Sequence, residues 1–177
     1  MFRKGILLIV CALASSGAWA QGTLTVTSPV FRAGAAIPAK YSAYHENVSP
    51  ALKWEAVAGA KSYALIVEDP DAPTPTPFVH WVAWNIPATT TSLAEGKGAG
   101  RQGRAGTGNA GYFGPRPPVS DGPHHYHFEI YALDTTLDLP PGADRDALLK
   151  AAAGHVIAKG ELVGTYDEVQ APAKSGG

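Results

Sequence analysis

Short apolar runs, each fenced by Pro, Gly or Asp, are spread along almost the whole of this chain, and nothing constrains its fold more. Leu24 and Val26 alternate with Thr25 and Thr27. Further runs are Ala51 to Trp54, Tyr63 to Val67, Val79 to Ile86, His125 to Leu133 and Glu161 to Tyr166. They are too short for ordinary helices and rich in residues that suit a pleated surface, so each predicts a strand. One helix is predicted late in the chain. Asp144 caps it, Leu148, Leu149 and Ala152 form its apolar stripe, and Gly154 stops it. Strands from end to end with one late helix predict an antiparallel sandwich rather than βαβ units.

The chain has 177 residues, 45% of them hydrophobic, which supports one core. Fourteen Lys and Arg against 15 Asp and Glu exclude a binder that works by neutralising nucleic-acid phosphates. Gly (20) and Pro (15) are abundant, but four Trp, seven Tyr and five Phe mark a folded, loop-rich protein. Met1-Phe2-Arg3-Lys4, the apolar run Gly5 to Leu13 and Ala18-Trp19-Ala20 form a charged, apolar and small-residue series. This predicts a secretory signal peptide over 1–20, cleaved after Ala20, and a periplasmic or secreted product. The apolar run is too short to span about 30 Å of hydrocarbon. The only cysteine, Cys11, lies inside the signal, so the mature protein has neither disulfides nor a thiol nucleophile. A single domain is expected over 21–170, followed by a flexible tail over 171–177.

Between Ala94 and Pro123 lie nine Gly and four Pro without sustained periodicity, the pattern of a functional or disordered loop. Tyr112-Phe113 and Pro115, Pro117 and Pro118 would pin its second half to the body. Two G-x-G-x-x-G matches, Gly98–Gly103 and Gly106–Gly111, lack the preceding strand and following helix of a dinucleotide site. No cofactor is expected. In Val67-Glu68-Asp69-Pro70-Asp71-Ala72-Pro73, strand alternation would set Asp69 and Asp71 on one face. They would serve as an acid/base pair, a metal site or a support for a histidine, or would merely end the strand. His80 opens a run whose even and odd positions divide between two apolar faces. In Pro123-His124-His125-Tyr126-His127-Phe128-Glu129, pleating groups His124 with Tyr126 and Phe128, and His125 with His127 and Glu129. His125 and His127 have a spacing that suits zinc, but local spacing indicates no third ligand and no metal is expected. His124 and Tyr126 beside the loop can donate hydrogen bonds to an anion. No G-x-S-x-G elbow is present, so the usual nucleophiles lack support.

Asp69-Pro70-Asp71-Ala72-Pro73, His80 with Trp81 to Pro87, Gly114-Pro115-Arg116-Pro117-Pro118, His124-x-Tyr126 and Tyr131-Ala132-Leu133-Asp134 occur in order. Together they resemble the phosphatidylethanolamine-binding protein family, most of all its bacterial branch of Raf-kinase-inhibitor-like proteins, over Leu24 to about Tyr166. The resemblance implies a mainly β fold: two packed antiparallel sheets with a few peripheral helices. It also implies a small pocket for phosphate, phospholipid head groups or other small anions. Carried over by motif, Asp69, His80, His124 and Tyr126 form that pocket, Asp71 is an acid beside it with a more structural role, and Pro118 is on its wall. Two departures stand out: Arg116 replaces a cysteine common in bacterial relatives, and Phe78 replaces a pocket tryptophan of eukaryotic members. Arg116 would either strengthen anion binding or face solvent.

The expected function is binding of a small anion or phospholipid head group without a chemical step. Two alternatives stay open. One is an inhibitor or regulatory partner of an envelope protein such as a protease; the other is a hydrolase using Asp69 with His80 or His124. Monomer and homodimer are both open, and so is the choice between head group and whole lipid. Removing His80 or His124 is expected to abolish binding without unfolding the chain.

Overall fold

The computed structural model describes residues 22–119 and 121–168. The predicted signal at 1–20 and tail at 171–177 lie outside them. Among the described residues the strands are β1 (Gly22–Thr23), β2 (Val26–Thr27), β3 (Leu52–Trp54), β4 (Ser62–Asp69), β5 (Phe78–Pro87), β6 (Ser92–Leu93), β7 (Arg101–Gln102), β8 (His124–Leu133) and β9 (Val156–Tyr166), with one α-helix, α1 (Arg145–Ala152), and a short 3-10 helix over Ala39–Tyr41. A six-stranded sheet runs β1-β9-β8-β4-β5-β7 and a three-stranded sheet runs β2-β3-β6. Every pairing between these strands is antiparallel except β1 with β9.

The centre of the large sheet is apolar on both faces, as the runs through Tyr63 to Val67 and Trp81 to Ile86 require. On one face Tyr63, Leu65, Val67, Trp81, Tyr126, Phe128 and Ile130 meet Leu52, Trp54 and Leu93 of the small sheet. On the other, Ala64, Ile66, Val82, Trp84 and Leu133 pack against Leu148 and Ala152 of α1. Asp144 caps that helix by accepting from the Ala147 N–H, and Gly154 follows it with a positive φ of 83°. Among the described residues no helix is long and apolar enough to cross a membrane.

Three features depart from the sequence reading. The first predicted strand is split: β1 pairs with β9 in the large sheet, and β2 crosses to the small one. At the crossing Leu24 donates its N–H to the Lys159 carbonyl and lies so close to Gly160 that a Cβ there would sit 1.9 Å from the Leu24 oxygen. β9 begins at Val156, before the predicted start at Glu161. Its early residues pair with β8 and β1, but Gly160 interrupts the pattern. β7 arises inside the stretch read as loop and β6 just before it, where no strand is predicted, because two residues cannot display a period.

Candidate functional site

β4, β5 and β8 bring their ends together at one edge of the sandwich. β4 finishes on Asp69, β5 enters through Phe78 and His80, and β8 starts on His124. Strict alternation would turn His80 to the α1 side with Val82 and Trp84. A register shift prevents this: Val67 opposes Trp81 and Glu68 opposes Val79, leaving His80 as the extra residue of a bulge. Its ring instead lies among Phe78, Phe113 and Tyr126, at centroid distances of 4.9, 5.8 and 5.1 Å.

These ends frame a cavity of about 380 Å³ lined by Asp69, Phe78, His80 and His124, with Ala72, Pro73 and Thr74 on one side and Thr107, Phe113, Arg116, Pro117 and Pro118 on the other. Asp69, His80 and His124 are each less than 5% exposed. His124 Nδ1 donates to Asp69 Oδ2 at 2.8 Å, and Nε2 faces Asp121 Oδ2 at 3.3 Å. With a carboxylate at both nitrogens, the ring suits the doubly protonated imidazolium. Burial pulls the His124 pKa down, but the hydrogen bonds and charges of Asp69 and Asp121 outweigh it and hold the value above that of a free imidazole.

His80 behaves in the opposite way. Its Nδ1 lies 2.7 Å from the Phe113 carbonyl, so that nitrogen carries the hydrogen and donates. Phe113 returns its own N–H to the His80 carbonyl at 2.8 Å. Asp69 therefore braces His124 and not His80. Burial dominates at His80 and lowers its pKa, although the Phe113 carbonyl and the Asp69 charge favour the proton. The site thus pairs an imidazole that holds its proton with one that releases it easily.

Two sequence-predicted residues lie off the cavity lining. Tyr126 is fully buried beneath His80, edge-on to its ring, with its hydroxyl lacking a hydrogen-bond partner of good geometry. Burial first, and then the Asp69 carboxylate, push its ionisation far up, so it remains a neutral phenol. Asp71 does not share a strand face with Asp69, because β4 has ended. Its N–H donates to Asp69 Oδ1 at 2.9 Å, and its carboxylate accepts the His125 backbone N–H at 2.8 Å and ring Nδ1–H at 2.7 Å. The His125 ring bond holds the Asp71 carboxyl below its ordinary value. Asp71 fixes the turn and the start of β8. His127 Nδ1 pairs separately with Glu161 at 2.7 Å, so the two outer histidines are drawn to carboxylates on opposite flanks of β8.

Arg116 and Pro118 do line the cavity. The Arg116 guanidinium is 5.4 Å from the Tyr44 ring centroid, a cation–π contact at the mouth, and Tyr44 donates its hydroxyl to the Pro117 carbonyl. Phe113 and Asp121 were not singled out from the sequence as site residues. Phe113 sits inside the aromatic pair that pins the loop, and Asp121 stands three residues before His124; neither carries a motif of its own. The Gly-rich matches serve packing: a Cβ on Gly106 would come within 2.8 Å of the Phe78 ring, and one on Gly103 within 2.4 Å of the Ala143 carbonyl.

Comparison with known proteins places this arrangement. The model of the family described as phosphatidylethanolamine-binding protein matches residues 27–167. A UPF0098 protein of Pyrococcus horikoshii is 45% identical over 170 residues, covering 90% of this chain and 85% of that protein. A Mycobacterium tuberculosis protein named as a candidate lipoprotein, LppC, is 40% identical over 156 residues, covering 87% and 77%. Among solved structures, a candidate phosphatidylethanolamine-binding protein homologue of Chlamydia trachomatis superposes with a TM-score of 0.78 at 39% identity, covering 84% of this chain and 99% of that one. Escherichia coli YbcL, described as a member of the mammalian family, gives a TM-score of 0.77 at 33% identity, covering 82% and 99%. The family match runs from the end of β2 through β9 and includes every strand that shapes the cavity, and on these grounds the chain belongs to the phosphatidylethanolamine-binding protein family.

Proposed function

We propose that this protein is an exported binding protein for small anions, including phospholipid head groups, and that it performs no chemical step. His124 supplies the charge, Asp69 holds its proton, His80 and Pro118 shape the recess, Tyr126 supports His80 from below, and Arg116 contributes a cation at the mouth. Asp71 acts indirectly through the turn. The observation that carries the reading is the environment of His124. Its buried face is neutralised by Asp69, while its Nε2 is met by the carboxylate of Asp121, whose side chain is 52% exposed. An anionic oxygen fits at that nitrogen, and a partner on so exposed a side chain is displaced at little cost. The name of the mycobacterial relative is consistent with an envelope location.

Anion binding should depend on the His124 proton. The His124 pKa is raised, so the charged form persists above the pH of about 6.5 at which a free imidazole loses its proton. Affinity is therefore complete below that value and is lost as pH rises through the folded-state pKa. Titration calorimetry with inorganic phosphate, corrected for the ligand's own ionisation, is expected to show this decline. Equal affinity in acid and alkali would contradict it.

A further inference from the structure

His80 Nδ1 is committed to the Phe113 carbonyl at 2.7 Å, and a carbonyl can only accept. The ring is at the same time held at low proton affinity by its burial. In the neutral ring with hydrogen on Nδ1, Nε2 is a bare lone pair. Nε2 makes no hydrogen bond to the protein among the described residues and is not among the sealed, unpartnered polar atoms, and His80 lines the cavity. His124 presents the complementary group, its Nε2–H, while Asp69 holds the ring through Nδ1–H. Other polar groups around the two rings include the Tyr126 phenol beneath, the Gly114 backbone beside His80, Asp121 at His124 Nε2, and Thr74, Thr107 and Arg116 on the cavity lining.

We infer that the cavity is a donor–acceptor pair rather than a cluster of donors, and that it selects anions that also carry a hydrogen-bond donor. The inference rests on the anion-binding reading and narrows its ligand class. The anionic oxygen sits on His124 Nε2–H, and the donor of the same ligand, a P–OH or an ammonium N–H, sits on His80 Nε2. A bare anion such as sulfate leaves the His80 lone pair facing an oxygen that cannot donate. Sites built around a specific hydrogen bond discriminate strongly against analogues that lack it, because the buried partner is left unpaired.

The test compares matched probes by calorimetry at about pH 5.5, where inorganic phosphate is largely a monoanion bearing P–OH groups. Phosphate is expected to bind roughly tenfold more tightly than sulfate. Glycerophosphoethanolamine should exceed glycerophosphocholine, in which three N-methyl groups replace the ammonium N–H groups. Phosphate above glycerophosphoethanolamine places the natural donor on P–OH, as in free phosphate; the reverse order places it on the ammonium of a lipid head group, and either order supports the inference. His80→Ala should reduce both preferences to near unity. Nitrogen-15 NMR of the ligand-free protein reports the His80 tautomer directly and does not depend on that variant folding. Sulfate binding as tightly as phosphate, or hydrogen on Nε2 of His80, overturns the inference. If no anion binds at all while the tautomer is as described, it is the broader anion-binding reading that fails.

Discussion

His124→Ala is expected to abolish phosphate binding and to destabilise the protein by about 3–5 kcal/mol, the range for removing one partner of a buried ion pair. Both side chains of the pair are 5% exposed, and Asp69 would keep the Asp71 N–H as its remaining hydrogen bond. A stranded carboxylate costs far more than the packing of one imidazole, which is why the effect should exceed that of an exposed histidine such as His155, paired with Asp134 at the surface. The fold should survive, since domains of this kind have about 5–15 kcal/mol to lose. Urea unfolding and calorimetry on the same preparation give both numbers. A loss below about 1 kcal/mol together with retained phosphate binding would remove the Asp69–His124 pair from the centre of the account.

Gly114→Ala should act on the site without touching the cavity. A Cβ at this position would sit 2.2 Å from the Tyr41 carbonyl oxygen and 2.8 Å from the Ala43 nitrogen, both backbone atoms that cannot rotate away. Gly114 also donates its N–H to Asn47 Oδ1 at 2.7 Å, and Ala43 donates to the Pro115 carbonyl at 2.9 Å, so the two segments are tied on either side of the clash. Asn47 has a positive φ of 55°, a conformation asparagine tolerates better than most residues. Forcing the segments apart is expected to cost about 1–3 kcal/mol or more. It would also shift the Phe113 carbonyl, which fixes the His80 tautomer, and phosphate affinity should fall by roughly tenfold, or about 1.4 kcal/mol. Unchanged stability and unchanged affinity would show that the 113–115 segment does not position His80.

How much of this was legible in the sequence follows from the range of the interactions involved. The long central strands were readable because both faces of β4 and β5 are buried, which leaves continuous apolar runs. Helix α1 was readable from its cap and its stop, both local signals. Pleating alone separated His124 and Tyr126 from His125 and His127, and the structure makes the first pair's face the buried one. The bulge at His80 was not legible. It is a property of the pairing between β4 and β5, and the run Phe78 to Pro87 read alone has no extra residue. Asp71 was misplaced for a related reason, since a period of two extrapolates past the end of β4 into a turn where it no longer applies. The partners that set the two imidazoles apart come from far along the chain. Asp69 reaches His124 across 55 residues, and Phe113 reaches His80 across 33. Family resemblance supplied the set of residues, but only the fold separates the protonated ring from the neutral one.

The most direct test of the account is a crystal structure of the protein soaked in phosphate at mildly acidic pH. The account predicts one phosphate in the cavity, with an oxygen within hydrogen-bonding distance of His124 Nε2 in the place of the Asp121 carboxylate and a second oxygen on His80 Nε2. An unfilled cavity with Asp121 still on His124, or a phosphate bound only elsewhere on the surface, would contradict it.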